Sequence, residues 1–450
     1  MAAPVTPPRG MRDILPAEKA TRERVLARIR SVYRAHGFDE IETPVVDDVA
    51  RLFSGLGGDN EKLAYAIMKR GLTTDDLAAA ASPLDLADLG LRFDLTVPLA
   101  RFYASNRAQL PAVFRAIQIA PVWRAERPQK GRYRQFVQCD IDIIGEPGIV
   151  GEVELISATA ATLDALGIPG CTMRLNDRRI LTSMLAVLGF APESHAAVLI
   201  SLDKLDKIGT AGVIAELTER GMPPAALAAL QAVPAFVAFG AEANTHTAPA
   251  ASEALTVDSI AAVLPPGVDR QALADLAAIA AAVSTAVAPA VPAAGALPLV
   301  FDPFLVRGMG YYTGPIFEVV HPEFGYSLGG GGRYDGMIGR FLGTEVAATG
   351  FSLGFERLID LVELGAGDDG SALALLYDPE ADLGAVMALK AQLVVGGARV
   401  RLLKRPKNMK AALDQLITDG FTRFAVIGAE QTAGTADAAM LDWRMLDPAH

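Results

Sequence analysis

The stretch RAERPQKGRYRQFVQCDIDIIG, residues 124–145, decides how the rest of the chain is read. Successive side chains of an extended strand point to opposite faces. From Gln135 onward, Phe136, Gln138, Asp140 and Asp142 therefore share one face, and Val137, Cys139, Ile141 and Ile143 the other. The second face is core. The first combines an aromatic plate, an amide and two carboxylates. Alternation alone fits a sheet with one solvated face just as well. The preceding segment adds weight, because Arg124 and Glu126 also share a face at i,i+2. The connecting loop carries Arg127, Lys130, Arg132 and Arg134. Four cations between two polar-faced strands suit phosphate or nucleic-acid contact, and a plain solvated hairpin loop would look the same.

Two further segments repeat this concentration of polar groups. In RGMGYY (307–312), Arg307 follows the apolar run FDPFLV. A guanidinium there is costly to bury without an anionic partner, whether a ligand or a salt bridge inside the domain. Tyr311 and Tyr312 can each offer a hydroxyl to a bound polar ligand, although most such tyrosines are core. The run GGGG (329–332) leads into GFSLGFER (350–357). Four glycines read as a bend between strands, where backbone can approach a ligand closely or can simply make a bulge. No Gly-Lys-Ser/Thr follows, so this is not a P-loop, and no GxGxxG opens a helix. A nucleotide bound here lies on an antiparallel sheet, held by arginines. The inventory suits a polyphosphate beside a small zwitterion.

Bulk properties bound the rest. A chain of 450 residues allows two to four domains, and 51% hydrophobic against 21% charged residues supports sizeable cores. The net charge of −11 gives no footprint for indiscriminate nucleic-acid binding, yet leaves room for a local basic surface that engages one RNA. The start MAAPVTPPRGMRD has no apolar core of signal-peptide length. The alanine-rich stretch 274–294 is broken by Ser284, Thr285, Pro289 and Pro292, which argues for a helix and linker rather than a membrane span. A cytoplasmic protein is expected. Cys139 and Cys171 read as reduced structural thiols, and the five scattered histidines make no metal-binding pattern, so no metal site is expected.

Helical spacing predicts a first helix from Ala17 to His36, stopped by Gly37. A strand through Ile41 and Thr43 follows, with a surface helix near residues 78–81, extended segments from Leu91, and helices at 97–105 and 152–166. The strand CTMRLN precedes a helix from Asp177. Residues 191–294 read as an inserted helical module. Strands resume in LPLVFDPFLV and GPIFEVVH, whose alternation suggests antiparallel pairs. A long helix is expected from Phe351 to Leu364. After a GDDGS-containing linker, strands ALALLYD, RVRLL and RFAVIGA alternate with helices, which predicts a small α/β domain.

Taken together, FDLT, WRAE, GRYRQFVQCDID, LVRGMGYYTG, GGGGRYDG and GFSLGFERL resemble the class II aminoacyl-tRNA synthetases, and specifically the histidyl-tRNA synthetase family. The likeness covers most of residues 9–365 and continues more weakly to the C-terminus. GFDEIETP is similar to the first class II motif, which forms the family's dimer interface; the segment from WRAE through Asp142 resembles the second and GFSLGFERL the third. RGMGYYTG resembles a signature of the histidine-specific members and their paralogues, and NDRRIL with LDKLDK resembles the eukaryotic-like branch. The resemblance implies an α+β fold: an antiparallel-sheet catalytic domain (1–185 and 296–366), a helical insertion (186–295) and an anticodon-binding-like α/β domain (371–450).

By the same resemblance, Arg124 contacts the ATP α-phosphate, Arg357 holds the γ-phosphate, Phe136 stacks on adenine and Glu126 lies near the nucleotide or the acceptor end. Asp94, Leu95 and Thr96, with Gln138 and Asp142, grip histidine; Tyr311 and Tyr312 complete the imidazole pocket, and Arg307 meets the α-phosphate. Arg127, Lys130, Arg132 and Arg134 are expected to contact tRNA. ATP with Mg²⁺, L-histidine and tRNA(His) are the implied ligands, and a homodimer the implied assembly. Two departures stand out. Gly310 replaces the family's usual Asp before the paired tyrosines, and TADAAMLDW (435–443) replaces its lysine-bearing last strand. Both lean toward the non-catalytic paralogue, the regulatory subunit of ATP phosphoribosyltransferase; retention of all three arginines leans toward the enzyme.

Overall fold

The computed structural model describes residues 5–53, 63–129, 131–241, 255–287, 297–307, 311–324, 326–362, 372–432 and 437–446. Lys130 and Gly310, singled out above, lie outside them. Two compact units are present: Met1–Arg12 with Val25–Glu363, and Asp13–Arg24 with Leu364–His450.

An eight-stranded sheet organises the larger unit. In chain order its strands are β1 (Asp39–Glu40), β2 (Phe114–Trp123), β3 (Gln135–Ile144), β4 (Thr172–Asp177), β5 (Leu299–Phe301), β6 (Pro315–Val320), β7 (Gly329–Arg333) and β8 (Ala348–Gly354). They lie side by side as β1-β2-β3-β8-β7-β6-β4-β5. Every pairing from β2 to β4 is antiparallel, whereas β1 on β2 and β5 on β4 are parallel. The fold is the α+β class II arrangement.

Register aligns one row of residues straight across this sheet. Gln118 of β2 pairs with Asp140 of β3, Asp140 with Ser352 of β8, Ser352 with Gly330 of β7, Gly330 with Glu318 of β6, and Glu318 with Arg174 of β4. Cross-strand neighbours share a face, so this row floors the polar side. On the opposite side Cys139, Ile141 and Ile143 are fully buried, and the helix Val150–Ala165 packs over β3 and β8. Both cysteines are buried and outside any disulfide, and burial pushes Cys171 up to about 12, which suits inert structural residues.

Several expectations need correction. The four-glycine run is not a bend but the buried strand β7, because flanking strands crowd it. A Cβ on Gly332 would sit 2.7 Å from the Pro315 carbonyl oxygen, and one on Gly329 2.7 Å from that of Ser352. Residues 351–364 do not form one long helix: β8 runs to Gly354 and only Phe355–Leu358 is α-helical. Phe351 and Phe355 do match helical spacing, but the β3 ladder pairs with every residue from Ala348 to Gly354, and tertiary pairing overrides local periodicity. Of LPLVFDPFLV only Leu299–Phe301 is strand, and its partner β4 is parallel, not antiparallel.

Helices His195–Leu202, Leu205–Glu219, Pro224–Gln231, Pro234–Ala241, Val257–Ala261 and Arg270–Val287 make up the helical segment. Its last helix packs against Val150–Ala165. In the smaller unit, Ala372–Tyr377 lies parallel to both Arg399–Lys404 and Arg423–Ile427, and Arg444–Met445 closes the edge antiparallel. Helices Leu383–Val395 and Met409–Thr418 flank this sheet, with a separate apolar cluster on each of its faces.

Candidate active site

Above the polar row lies a cleft. Arg124, Glu126 and Arg132 line it from the loop after β2, Phe136, Gln138, Asp140 and Asp142 from β3, Asp94 and Thr96 from the segment entering helix Thr96–Asn106, Arg307, Tyr311 and Tyr312 from the segment before β6, and Arg357 from the short helix after β8. The three arginines named from distant segments thus meet in one place. Leu95 does not join them: its side chain is fully buried in the core and its carbonyl accepts from the Gln118 amide at 2.9 Å. Asp94 and Thr96 face the cleft while Leu95, between them, turns away. Arg127 is exposed and Arg134 half-buried, neither lining the cleft. Arg134 donates instead to the backbone carbonyls of Glu126 and Arg9 at 3.1 and 3.4 Å.

One end of the cleft is cationic. Arg124 Nε donates to the Phe93 carbonyl at 2.9 Å, and its guanidinium lies over the Phe136 ring, 5.1 Å from the centroid. Arg357 donates to the carbonyls of Ser327 at 2.6 Å and Gly131 at 3.3 Å and covers the Tyr326 ring. Among the described residues no carboxylate forms a salt bridge with either arginine. Burial lowers the Arg357 pKa, and the charges of Arg132, Arg307 and Arg124 lower it further. Guanidinium groups gathered in one cleft, with no carboxylate salt-bridged to Arg124 or Arg357 among the described residues, suit a polyanionic ligand.

The other end is acidic and enclosed. Tyr334 donates its hydroxyl to Asp142 Oδ1 at 2.6 Å, while Asp142 Oδ2 is buried without a hydrogen-bond partner. Burial pushes the Asp142 carboxyl up to about 7; the Tyr334 bond pulls it down and nearby Asp94 pushes it up. Burial, then the Asp142 charge, raises Asp140 well above the carboxylate range. Gln138 donates to Ser352 Oγ at 2.8 Å. The Tyr311 and Tyr312 rings stand 4.4 Å apart at 54°. An acceptor buried without a donor, between tyrosines, fits a small cationic ligand. Glycine makes this close approach possible: a Cβ on Gly350 would overlap Asp142 Oδ1, and one on Gly330 would overlap the Arg307 guanidinium.

Tyr334, Ser352, Ser327 and Glu318 were not anticipated as site residues. Glu318 pairs with Arg307, so the anion expected for that half-buried guanidinium is, in part, a residue of the fold. In GPIFEVVH, alternation puts Glu318 on one face with Ile316 and Val320, and nothing in that pattern names its partner.

A family model described as histidyl-tRNA synthetase matches residues 10–358. The chain belongs to the histidyl-tRNA synthetase family. A histidine–tRNA ligase of Leifsonia xyli is 59% identical, over 97% of this chain and 98% of that one. A protein of Tropheryma whipplei named as a probable histidine–tRNA ligase is 43% identical over 93% and 95%. Among solved structures, a histidyl-tRNA synthetase from Nostoc sp. PCC 7120 aligns with a TM-score of 0.72 at 23% identity, covering 99% of this chain and 98% of that one. One from Bacillus halodurans, titled ATP phosphoribosyltransferase regulatory subunit/histidyl-tRNA synthetase, aligns at 0.71 and 19%, covering 95% and 99%. At those identities the two structures speak for the fold alone, which both branches of the family share.

Proposed function

We propose that this chain is a histidine–tRNA ligase that activates L-histidine with ATP and transfers it to tRNA(His). The observation that carries the reading is the two-ended cleft, with mutually repelling guanidinium groups at one end and a buried, half-satisfied carboxylate at the other. In the first step a histidine carboxylate oxygen attacks the ATP α-phosphorus, a new P–O bond forms, and the bond to pyrophosphate breaks with its electron pair leaving on pyrophosphate. Two anions must meet, so fixed cations aimed at the developing charge contribute most of the stabilisation. Arg124 and Arg307 take that role, Arg357 holds the distal phosphates, Phe136 supports adenine, and Glu126 lies at the nucleotide's edge. Asp94, Thr96, Gln138 and Asp142 take the ammonium and imidazole donors between Tyr311 and Tyr312.

In the second step the 3′-hydroxyl of the terminal ribose attacks the histidyl carbonyl carbon, AMP leaves, and no protein nucleophile is required. Among the described residues no group of three or more His, Cys, Asp or Glu could hold a metal ion by itself. Glu126 and Glu356 line the cleft, paired with Arg132 and Arg12; as hard oxygen donors they are the residues that would meet Mg²⁺ carried in on the triphosphate. When bound, that ion would neutralise phosphate charge.

Residues 1–185 with 296–366 would form the catalytic domain, 186–295 the insertion and 371–450 an anticodon-contacting domain, in a cytoplasmic homodimer. Arg127, Lys130, Arg132 and Arg134 would meet the acceptor end of the tRNA. Among the described residues no helix is long and apolar enough to cross a membrane. Aminoacylation with labelled histidine tests the proposal: purified protein should esterify histidine to tRNA(His) with ATP present. A protein that binds histidine and charges no tRNA would instead match the regulatory paralogue.

A further inference from the structure

Glu318 stands fifth of the six in the polar row, with Gly330 across from it on one side and Arg174 on the other. Its two oxygens serve different arginines. Oε2 takes Nη1 of Arg307, and Oε1 takes Nη1 of Arg174 at 3.4 Å. Gly330 leaves the space over the row into which the Arg307 guanidinium fits, and Ser327 Oγ accepts from the same Nη1 at 3.4 Å. Arg174 continues outward. Its Nε donates to Asp302 Oδ2 at 2.6 Å, and its Nη1 reaches Asp206 Oδ2 at 3.5 Å. Asp206 belongs to helix Leu205–Glu219 of the helical segment and is 42% exposed. Asp203, just before that helix, lies within electrostatic reach of both Arg307 and Glu318.

We propose that Glu318 is the positioning residue of Arg307 and that, by sharing its carboxylate with Arg174, it couples the helical segment carrying Asp206 to histidine activation. This rests on the role given above to Arg307. A guanidinium held by one carboxylate oxygen, one hydroxyl and a glycine floor has a fixed direction, which is what charge stabilisation at a reacting phosphate requires. The chain of ion pairs makes that hold adjustable. When the helical segment draws Asp206 away, Arg174 turns more of its attraction on Glu318, and the grip of Glu318 on Arg307 loosens. Occupancy of the helical segment by a partner therefore alters the first step without touching the cleft.

The test is a double-mutant cycle on the full chain, read as histidine-dependent ATP–pyrophosphate exchange per active site titrated by the adenylate burst. Glu318→Gln keeps the shape and removes the charge; kcat should fall ~10–100-fold, with the KM for ATP within about threefold. Asp206→Asn, at an exposed position, should shift kcat by ~2–5-fold, and that shift should vanish in the Glu318→Gln background. A wild-type kcat in Glu318→Gln, or an Asp206→Asn effect that persists unchanged beside it, overturns the proposal. A purely structural network would lower thermal stability and leave kcat per titrated site unchanged, which also overturns it. Should Glu318→Gln not fold, Arg174→Lys takes its place in the cycle with the same two outcomes. Normal exchange in Arg307→Ala would instead remove the reading of Arg307 on which this rests.

Discussion

Tyr334 donates its hydroxyl to Asp142 Oδ1 at 2.6 Å, while Oδ2 of the same carboxylate is buried without a hydrogen-bond partner. The tyrosine holds Asp142 in one orientation and favours its ionised form against burial. Removing that hydroxyl should weaken the hold on histidine. For Tyr334→Phe we expect the KM for histidine in pyrophosphate exchange to rise ~10-fold, the scale of a hydrogen bond to a charged group, with the KM for ATP little changed. Equal rises in both would mean the pair only supports the fold.

Asp142 also makes stability depend on pH. Its folded pKa of about 7 stands above the ordinary 3.8. Its contribution is therefore fully present below pH 3.8 and is lost as pH rises through about 7. Asp142→Asn abolishes this titration. The ligand-free variant should gain on the wild type as pH climbs from 4 to 8, by on the order of 3–4 kcal/mol at the upper end. Thermal melts across that range check it; a gap independent of pH would place the titration elsewhere.

Gly330 sets the seat of Arg307. A methyl group there meets the guanidinium itself, so Gly330→Ala should push Arg307 off its position rather than disturb the core. Exchange should fall ~10²-fold, as for a misplaced catalytic group, while the melting temperature moves by only a few degrees. Full activity would mean that Arg307 works from another position.

Burial lowers the Arg357 pKa, and the charges of Arg132, Arg307 and Arg124 lower it further. Arg357→Met relieves this repulsion in the free protein and removes a phosphate ligand from the complex. We expect a ligand-free melting temperature no lower than that of the wild type, together with a ~10-fold or greater rise in the KM for ATP. Loss of stability with an unchanged KM would assign Arg357 to the fold.

The polar face of β3 was legible because strand alternation is a local property: Phe136, Gln138, Asp140 and Asp142 need only their own spacing. Arg307 carried a local signal too, a charge after the apolar run FDPFLV, whereas Arg124 was marked by sharing a face with Glu126 and Arg357 by the family resemblance alone. What local pattern could not deliver was pairing. β7 and β8 are strands because each is hydrogen-bonded on both sides, whereas in sequence their glycines read as a bend and FSLGFERL as a helix. Leu95 fell inside a motif whose flanking residues face the cleft, and its own apolar side chain belonged to the core. Tyr334 and Glu318 were hidden for a related reason. Each matters through a residue on a neighbouring strand or segment, Asp142 and Arg307, and their register is fixed only once the sheet is assembled.

The central claim is that Arg124, Arg307 and Arg357 converge on one triphosphate beside a histidine pocket. Histidine-dependent ATP–pyrophosphate exchange measures this most directly, comparing the wild type with Arg307→Ala. The wild type should exchange only when histidine is present, and the variant should lose ~10²–10³-fold in rate while still binding histidine. A wild type that exchanges nothing with histidine, or an Arg307→Ala variant that exchanges at the normal rate, would contradict the account.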